Sequence, residues 1–184
     1  PDISQSIPPA TSKIALQTLS GSSLAIEETS FPDRVCSIAD YGGKYDGVTS
    51  NTDAFRKAID DCAKTGGGTV LVPKGTWFSG PIHLKSRINL HLEKGSTILF
   101  STHFEDYLPV VFSRFEGIEY YNYSAPIYTA NAFDVAITGE GILDGQGAAW
   151  WTAMRKWDKT IKRLYQMGDD NVPVSERVFG TVED

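Results

Sequence analysis

Residues 66–84 read GGGTVLVPKGTWFSGPIHL, and this alternation of short apolar runs with glycine and proline decides the fold class. Each run is too short for a helix and is rich in the β-branched and aromatic residues that favour strands. The same texture continues beyond residue 84 and returns after residue 130. We therefore predict short β-strands at 69–72, 76–79, 82–84, 88–92, 97–100, 135–138 and 142–144.

The spacing of these strands indicates a solenoid. Ile88 and Val135 hold like places in their runs and lie 47 residues apart, which fits two coils of about 23 residues each. In a solenoid each short strand stacks on its counterpart one coil along, so that inward apolar residues form continuous ladders. The sequence from 68 to 147 then predicts three to four coils of an all-β parallel β-helix.

A helix is predicted immediately before this region. Phe55, Ala58, Ile59 and Cys62 recur at helical spacing, and the glycines at 66–68 end the pattern. The first coil of a solenoid needs a cover over its open backbone edge, so we expect this helix to be an amino-terminal lid. Asn51, Thr52 and Asp53 directly precede it, and we interpret them as helix-capping residues rather than as a catalytic group.

Composition excludes two classes of partner. The 184 residues contain 17 Lys and Arg against 23 Asp and Glu, a net charge of −6, so nucleic acid is not expected as a partner. No apolar run approaches the roughly 18 residues needed to cross a bilayer. The two cysteines, Cys36 and Cys62, either pair once or remain buried thiols. Thiols are the favoured prediction, because Cys62 lies on the apolar face of the helix.

The domain prediction has two parts. Residues 1–32 form a leader or edge segment, in which Ile14, Leu16 and Leu19 alternate as in one or two edge strands. Residues 33–184 form the β-helix domain, with an insertion at 102–130 and a helix at 148–167 whose apolar stripe includes Trp150 and Trp157. We interpret the basic residues of that helix as a solvated face. We predict a secreted or periplasmic protein whose export leader has been removed.

The insertion carries the candidate binding chemistry. It mixes aromatic residues with Arg114, Glu116 and Asn122, a combination that suits a sugar acid through ring stacking and a bidentate grip on its carboxylate. The alternative is that these aromatic residues pack the insertion onto the coil. Tyr121 and Tyr128 are predicted to pack in the core. His83, His91 and His103 are predicted to be structural, since no nucleophile or metal-ligand spacing surrounds them. Asp169 and Asp170 are predicted to lie in a hydrated loop.

These motifs together resemble glycoside hydrolase family 28, the polygalacturonase-like enzymes of the pectin-lyase-like class. The resemblance rests on stretches IADYGGKYDG at 38–47, NTDAF at 51–55, GGGTV at 66–70 and PKGTWFSGPIHL at 73–84. Three later stretches are similar to the exo-acting and rhamnogalacturonan-directed bacterial members: LEKG at 92–95, RFEG at 114–117 with YNYS at 121–124, and ITGEGILDGQG at 137–147. The resemblance implies a right-handed parallel β-helix that hydrolyses galacturonic-acid-containing bonds with inversion, without cofactor or metal.

The resemblance also implies how the site residues divide. The family's catalytic Asn-Thr-Asp, Asp-Asp and Gly-His-Gly motifs are expected on coils downstream, so no catalytic residue is assigned in this chain. Arg114, Glu116 and Asn122 match the family's substrate-binding insertion and are candidate ligands of acidic oligo- or polysaccharides such as pectin and galacturonides.

Three further expectations concern the chain as a whole. It is predicted to be an amino-terminal portion that lacks the later coils. Alone it would aggregate or stay partly unfolded, because its last coil exposes unpaired edges. The remaining carboxy-terminal part of the same enzyme is therefore an expected partner. The alternative functions are a polysaccharide lyase on the same scaffold and a non-catalytic β-helix that binds carbohydrate as an adhesion module.

Overall fold

The computed structural model describes residues 13–17, 23–27, 29–154 and 157–180. Its first elements are two antiparallel strands, β1 (Lys13–Gln17) and β2 (Ser23–Glu27), with Lys13 opposite Glu27. Both lie in the segment where the sequence predicts one or two edge strands. Leu19, the third residue of that pattern, lies outside the described residues.

Parallel strands form the body of the molecule. One sheet contains β3 (Val35–Ser37), β4 (Gly68–Val72), β7 (Ile88–Leu92) and β12 (Val135–Gly139). A second contains β5 (Gly75–Ser79), β8 (Ser96–Phe100) and β13 (Ile142–Asp144). A third pairs β6 (Ile82–His83) with β11 (Ile127–Tyr128). Strands that follow one another in the chain turn from one sheet to the next, which is a parallel β-helix, as predicted.

The pairing register confirms one sequence inference and corrects another. Val135 lies directly opposite Ile88, so the prediction that these two residues hold equivalent positions in their strands is confirmed. The 47 residues between them, however, form one coil and not two. The residues that separate β8 from β11 leave the coil as an insertion and return to it, and this excursion supplies the extra length.

Successive coils bury the same register positions. Cys36, Val70, Leu90 and Ile137 are paired in turn across the first sheet, and the first three are buried. Burying one such aliphatic side chain contributes about 1.5–3 kcal/mol. The core therefore runs along the coil axis and contains Ile38, Val72, Trp77, Ile82, Leu84, Ile88, Leu92, Ile98 and Phe100.

The helix α1 (Thr52–Lys64) covers one end of this core, as predicted. Its buried face consists of Ala54, Phe55, Ala58, Ile59 and Cys62. These side chains belong to the same apolar cluster as the strand residues. The opposite face is charged, and Arg56 pairs there with Asp53 at 3.0 Å. The lid therefore joins the core through one face and meets water with the other.

Asn51 occupies the N-cap position of this helix, but its side chain does not make the capping hydrogen bond that the sequence predicts. Asn51 is buried, and its amide nitrogen donates to the carbonyl oxygens of Lys44, Thr49 and Phe78, each at 2.9 Å. The hydroxyl of Thr52 accepts the Gly80 N–H at 2.8 Å. A buried amide must satisfy its hydrogen bonds, so Asn51 links the entry loop to the first coil instead of closing the helix end.

The helix ends in a turn that only glycine accommodates. Gly66 and Gly67 have φ values of +100° and +109°, and the Gly67 N–H donates to the Cys62 carbonyl at 3.0 Å. A Cβ at Gly67 would collide with the carbonyl of Arg87, whereas a Cβ at Gly66 would meet no atom within 4 Å. Close packing of the lid on the coil therefore excludes a side chain at Gly67.

The two cysteines form a disulfide, so the favoured prediction of buried thiols is wrong. Cys36 on β3 and Cys62 on α1 have Cα atoms 6.2 Å apart, within the range that a disulfide spans. The helical pattern placed Cys62 correctly on the buried face of α1. It could not show that β3 presents Cys36 to that same face. The bond ties the lid to the first strand of the coil.

The predicted helix at 148–167 is divided into α2 (Gly147–Met154) and α3 (Asp158–Asp169). The division lets Trp150 and Trp157 approach the same ring, because Phe104 lies 4.7 Å from the first and 6.4 Å from the second between centroids. In a straight helix these two positions would be about 10 Å apart along the axis. Among the described residues, no helix is long and apolar enough to span a membrane.

The two glycines at the end of α1 give a matched test of lid packing. Both substitutions to alanine place a side chain at positive φ, which costs about 1–2 kcal/mol. Only Gly67→Ala adds the collision with Arg87, so we expect it to lower the free energy of unfolding by about 2 kcal/mol more than Gly66→Ala does. Urea denaturation of both variants measures the difference. Equal losses would mean that the lid does not approach the coil as closely as described.

The disulfide should stabilise the lid measurably. The bond closes a loop with a sequence separation of 26, for which the chain-entropy estimate is about 3.5 kcal/mol. We expect reduction with dithiothreitol to lower the free energy of unfolding by this amount. A Cys36→Ala/Cys62→Ala variant serves as the control, because its stability should not respond to the reductant. An oxidised protein whose stability is unchanged on reduction would contradict the expectation.

Candidate functional site

The insertion begins with a buried anchor at the end of β8. The Ser101 N–H donates to the Ser79 carbonyl of the preceding coil at 2.8 Å, and the Ser101 carbonyl accepts the Tyr107 hydroxyl at 2.6 Å. Burial raises the pKa of Tyr107 to about 12, and the neighbouring Asp106 adds to the rise. Tyr107 therefore stays protonated and holds the start of the insertion against the coil.

A β-hairpin forms the projecting part of the insertion. Strands β9 (Val111–Phe115) and β10 (Ile118–Asn122) pair antiparallel, with Phe115 opposite Ile118. The two residues between them, Glu116 and Gly117, have φ values of +47° and +92°. Positive φ at both central residues is the geometry of a tight two-residue hairpin turn.

The register divides the hairpin into two faces. Residues directly opposite each other in an antiparallel pair point to the same side, and neighbours along a strand alternate. Ser113 and Tyr120 are opposite partners on one face. Arg114 and Glu119 are opposite partners on the other. Each side chain of the two hairpin strands therefore belongs to one of two separate surfaces.

The first face closes a cavity of about 300 Å³ against α2 and α3. Phe179 completes the wall. It is held beside the hairpin because Tyr121 and Val178 form a parallel bridge and the Phe179 N–H donates to the Tyr121 carbonyl at 2.8 Å. The lining is mainly aromatic and has hydroxyl and amide groups. It consists of Ser113, Phe115, Tyr120, Asn122, Tyr123, Ser124, Ala125, Trp150, Trp157, Thr160, Ile161, Leu164 and Phe179.

Of the three predicted binding residues, Asn122 lines this cavity. Its Oδ1 accepts the Tyr123 N–H at 2.8 Å, and its Nδ2 approaches the Tyr120 hydroxyl at 3.5 Å. The amide is oriented by the first contact. Its nitrogen can therefore serve as a donor toward a bound molecule.

Arg114 and Glu116 do not line the cavity. Arg114 lies on the opposite face of the hairpin, where its guanidinium donates to the Glu119 carboxylate. Glu116 lies at the tip of the turn and accepts a hydrogen bond from the Tyr165 hydroxyl, which raises the pKa of Tyr165. The structure thus does not bring the three predicted residues into a single constellation.

Several lining residues had no functional interpretation in the sequence. Trp157, Ile161 and Leu164 lie at helical spacing on the apolar stripe of the predicted helix, a pattern that by itself indicates packing. Thr160 and Phe179 carry no motif. The available signal was the coincidence of an aromatic insertion with a tryptophan-bearing helix. Tyr121 and Tyr128 are half-buried and do not belong to the apolar core, so the prediction that they pack in the core is wrong. Tyr121 contacts the Phe112 ring, and the Tyr128 hydroxyl donates to the Phe112 carbonyl at 2.9 Å.

His83 supports the cavity from the coil. Its Nε2 lies 2.9 Å from the Ser124 hydroxyl, and its ring contacts that of Tyr128 at 5.1 Å between centroids. Burial lowers the pKa of His83. The Ser124 hydroxyl donates in turn to the Ala125 carbonyl at 2.9 Å. This contact links β6 to the loop that forms one side of the cavity.

The paired carboxylates lie away from the cavity. Asp169 and Asp170 are both exposed, as predicted, but Asp169 is the last residue of α3 and only Asp170 lies beyond the helix, so the prediction of a loop is wrong for Asp169. Asp53 pairs with Arg56 on the outer face of α1. In the described part of the chain, no group of three or more His, Cys, Asp or Glu side chains is arranged to hold a metal ion.

The sequence matches a known family over its central part. Residues 35–150 match the family model described as rhamnogalacturonase A/epimerase, pectate lyase-like. The chain belongs to this family. The match covers the coil strands from β3 to β13, the whole insertion and the start of α2, and so includes one wall of the cavity.

Individual relatives agree with this assignment. The exo-poly-alpha-D-galacturonosidase of Dickeya chrysanthemi is 34% identical over 86% of this chain and 27% of its own length. A solved structure of a hyperthermoactive exopolygalacturonase from Thermotoga maritima is 41% identical, with a TM-score of 0.78 over 84% of this chain and 37% of that one. The family 28 exopolygalacturonase of Yersinia enterocolitica is 28% identical, with a TM-score of 0.56 over 72% and 25%.

These similarities confirm the resemblance to family 28 polygalacturonases and the β-helix fold that it implies. The relatives compared include exo-acting enzymes, as the motifs at 92–95, 114–117 and 121–124 predict. The chain spans between a quarter and two fifths of the length of each of the three relatives.

His83 offers a test of the cavity wall by pH. Because burial lowers its pKa in the folded state, the unfolded chain takes up a proton first as the pH falls below about 6.5. Stability should therefore decrease as the pH falls from about 7 to 5, and a His83→Gln variant should lose that component. Urea denaturation across this range measures it, and an NMR titration gives the pKa directly. A His83 pKa above 6.5 would contradict the described environment.

Proposed function

We propose that the protein is a pectin-degrading glycoside hydrolase that cleaves galacturonic-acid-containing glycosidic bonds with inversion. The observation that carries the proposal is the 41% identity and TM-score of 0.78 with an exopolygalacturonase, over 84% of this chain. The cavity adds chemical support, since aromatic rings with nearby hydroxyl and amide groups suit the alternating C–H and O–H surfaces of a sugar.

Inversion requires a general acid and a general base whose carboxyl groups are roughly 6.5–9.5 Å apart. Asp53 is ion-paired on α1, and Asp169 and Asp170 lie in a hydrated segment, so none of them is proposed for these roles. We assign the acid and base to coils that follow this segment in the longer enzymes. This chain supplies the lid, the first coils and a wall for the substrate. The remaining carboxy-terminal part of the same enzyme is then its partner.

Secretion is part of the proposal. A disulfide between Cys36 and Cys62 forms and persists in oxidising compartments. A polymeric substrate such as pectin also requires an enzyme outside the cytoplasm. Export to the periplasm or the exterior satisfies both conditions.

The activity is tested with the natural-length protein on polygalacturonate. We expect new reducing ends, and a product that appears first as the β-anomer in proton NMR, because an α-linkage is inverted. An absorbing unsaturated product would instead indicate a lyase. Binding without any product would indicate a carbohydrate-binding adhesion module. Either result would overturn the proposed hydrolysis.

Arg114 is proposed to bind the carboxylate of the substrate from the outer face of the hairpin. We expect Arg114→Ala to weaken binding of galacturonide oligomers by about tenfold while leaving neutral oligosaccharides unaffected, because only the former carry a charge for the guanidinium. Arg56→Ala is the matched control, since Arg56 is also an exposed, ion-paired arginine but lies on α1. Equal losses for acidic and neutral ligands, measured by calorimetry, would remove the assigned role.

A further inference from the structure

Residues 177–179 run beside the edge of β10 that faces away from β9 and extend the hairpin by a third segment. The Tyr121 N–H donates to the Arg177 carbonyl and the Phe179 N–H donates to the Tyr121 carbonyl, both at 2.8 Å. The bridge between Tyr121 and Val178 is parallel. This pairing brings Phe179, which is 1% exposed, into the wall of the cavity. The position of that wall therefore depends on what holds residues 177–179 against β10.

The Arg177 side chain fastens this pairing at two points. Its Nε–H donates to the carbonyl of Val172, just after α3, at 2.8 Å. Its Nη1–H donates to the carbonyl of Glu119, on β10, at 3.3 Å. A guanidinium is planar and presents five N–H donors in a fixed geometry, so one side chain can reach two separate carbonyl groups. Arg177 thus connects the end of α3 to the hairpin while its own backbone pairs with Tyr121.

The bonding of Arg177 differs from that of the other arginines that donate from their side chains to a carboxylate, namely Arg34, Arg56 and Arg114. Within the part of the chain that the structure describes, Arg177 forms no ion pair, and both of its side-chain hydrogen bonds go to backbone carbonyl groups. An exposed ion pair contributes little to stability. Bonds from one rigid guanidinium to two segments instead fix how those segments lie relative to each other.

Close packing makes the cavity sensitive to this placement. Gly180 directly follows the paired segment and has a φ of +93°. A Cβ there would lie 2.7 Å from Val110 Cγ1 and 3.3 Å from Asn122 Oδ1. Asn122 and Phe179 both line the cavity. A shift of residues 177–179 along β10 would therefore move the Phe179 ring and disturb the Asn122 amide together.

We propose that Arg177 is a positioning residue for the substrate wall: through its two carbonyl partners it holds residues 177–179 on β10 and so places Phe179 and Asn122 at the cavity. The inference rests on the proposed function only in taking this wall to contact substrate. Arg177 lines an open groove beside the tip of the hairpin and not the cavity itself. It therefore acts through the residues that it holds.

Hydrogen exchange of two backbone amides tests the placement without any substrate. In the natural-length protein, Arg177→Ala should speed exchange of the Tyr121 and Phe179 N–H groups about tenfold, because their pairing loses its side-chain anchor. The Leu84 N–H, which donates to the Tyr128 carbonyl at 2.8 Å in the coil, is the control and should not change. Unchanged exchange at Tyr121 and Phe179 would overturn the proposal, and so would an equal acceleration at all three amides.

Chemical rescue distinguishes the two carbonyl bonds from the bulk of the side chain. Arg177→Ala opens a space beside a groove of about 430 Å³, so added methylguanidinium should restore slow exchange, whereas methylammonium, with one nitrogen, should not. Gly180→Ala is the matched control, because it displaces the same segment by collision and should respond to neither ion. Arg177→Lys serves if the alanine variant does not fold, and should exchange faster than the parent because one ammonium cannot replace the fork. Rescue of Arg177→Ala by both ions alike, or by neither, would overturn the assigned bonds.

Kinetics on polygalacturonate connects the wall to the reaction. Arg177→Ala should raise KM about fivefold and change kcat by less than about twofold, because the acid and base are assigned to later coils and only binding is weakened. A fall in kcat at unchanged KM would indicate a smaller folded fraction and would overturn the positioning role. Faster exchange with unchanged kinetics would overturn the contact between wall and substrate. If the parent protein releases no reducing ends, the proposed hydrolysis fails, while the exchange result still decides what Arg177 holds.

Discussion

The coil strands of this molecule are positioned by the in-register stacking of one coil on the next. The stack requires the same kind of residue at the same register position, and Val70, Leu90 and Ile137 meet that requirement along the first sheet. The stability that stacking contributes comes from contacts between adjacent coils only. Leu90, with coils on both sides, is 0% exposed, while Ile137, with a coil on one side, is 47% exposed. Burial in this fold is therefore a property of neighbours more than of the individual residue.

The lid follows from the same constraint. A stack has an end, and the first coil would present both its apolar interior and its backbone edge to water. Helix α1 covers the interior with one apolar face, and the disulfide between Cys36 and Cys62 fixes the helix to the first strand. Gly67 allows the chain to leave the helix and enter β4 without clashing with Arg87. The lid, the disulfide and the glycine turn together cover the exposed end of the first coil.

The coil was predictable from sequence because its signals are local. Short apolar runs and glycine or proline corners gave the strands to within one residue at most boundaries, and the helical spacing of Phe55 to Cys62 gave the lid. Features that depend on distant partners were not predictable in this way. In the sequence, Asn51 has the residue type and position of a helix cap. Its side-chain hydrogen bonds to the carbonyl groups of Lys44 and Phe78 exist only in the folded chain. The disulfide depends on where a short strand and a helix face meet. The length of the coil between β7 and β12 depends on an insertion that the periodicity of the sequence does not reveal.

The candidate site was only partly predictable, because the set of side chains that face the cavity depends on the number of residues in a single hairpin turn. The sequence placed Arg114 and Asn122 in one binding region, but the residues of a strand alternate between two faces. The two-residue turn at Glu116 and Gly117 sets Phe115 opposite Ile118, and this register directs Ser113 to one side and Arg114 to the other. A turn that shifted the pairing by one residue would exchange the faces of β10 relative to β9. The separation of Arg114 from the cavity that Asn122 lines is thus a consequence of turn geometry, and composition alone could not have shown it.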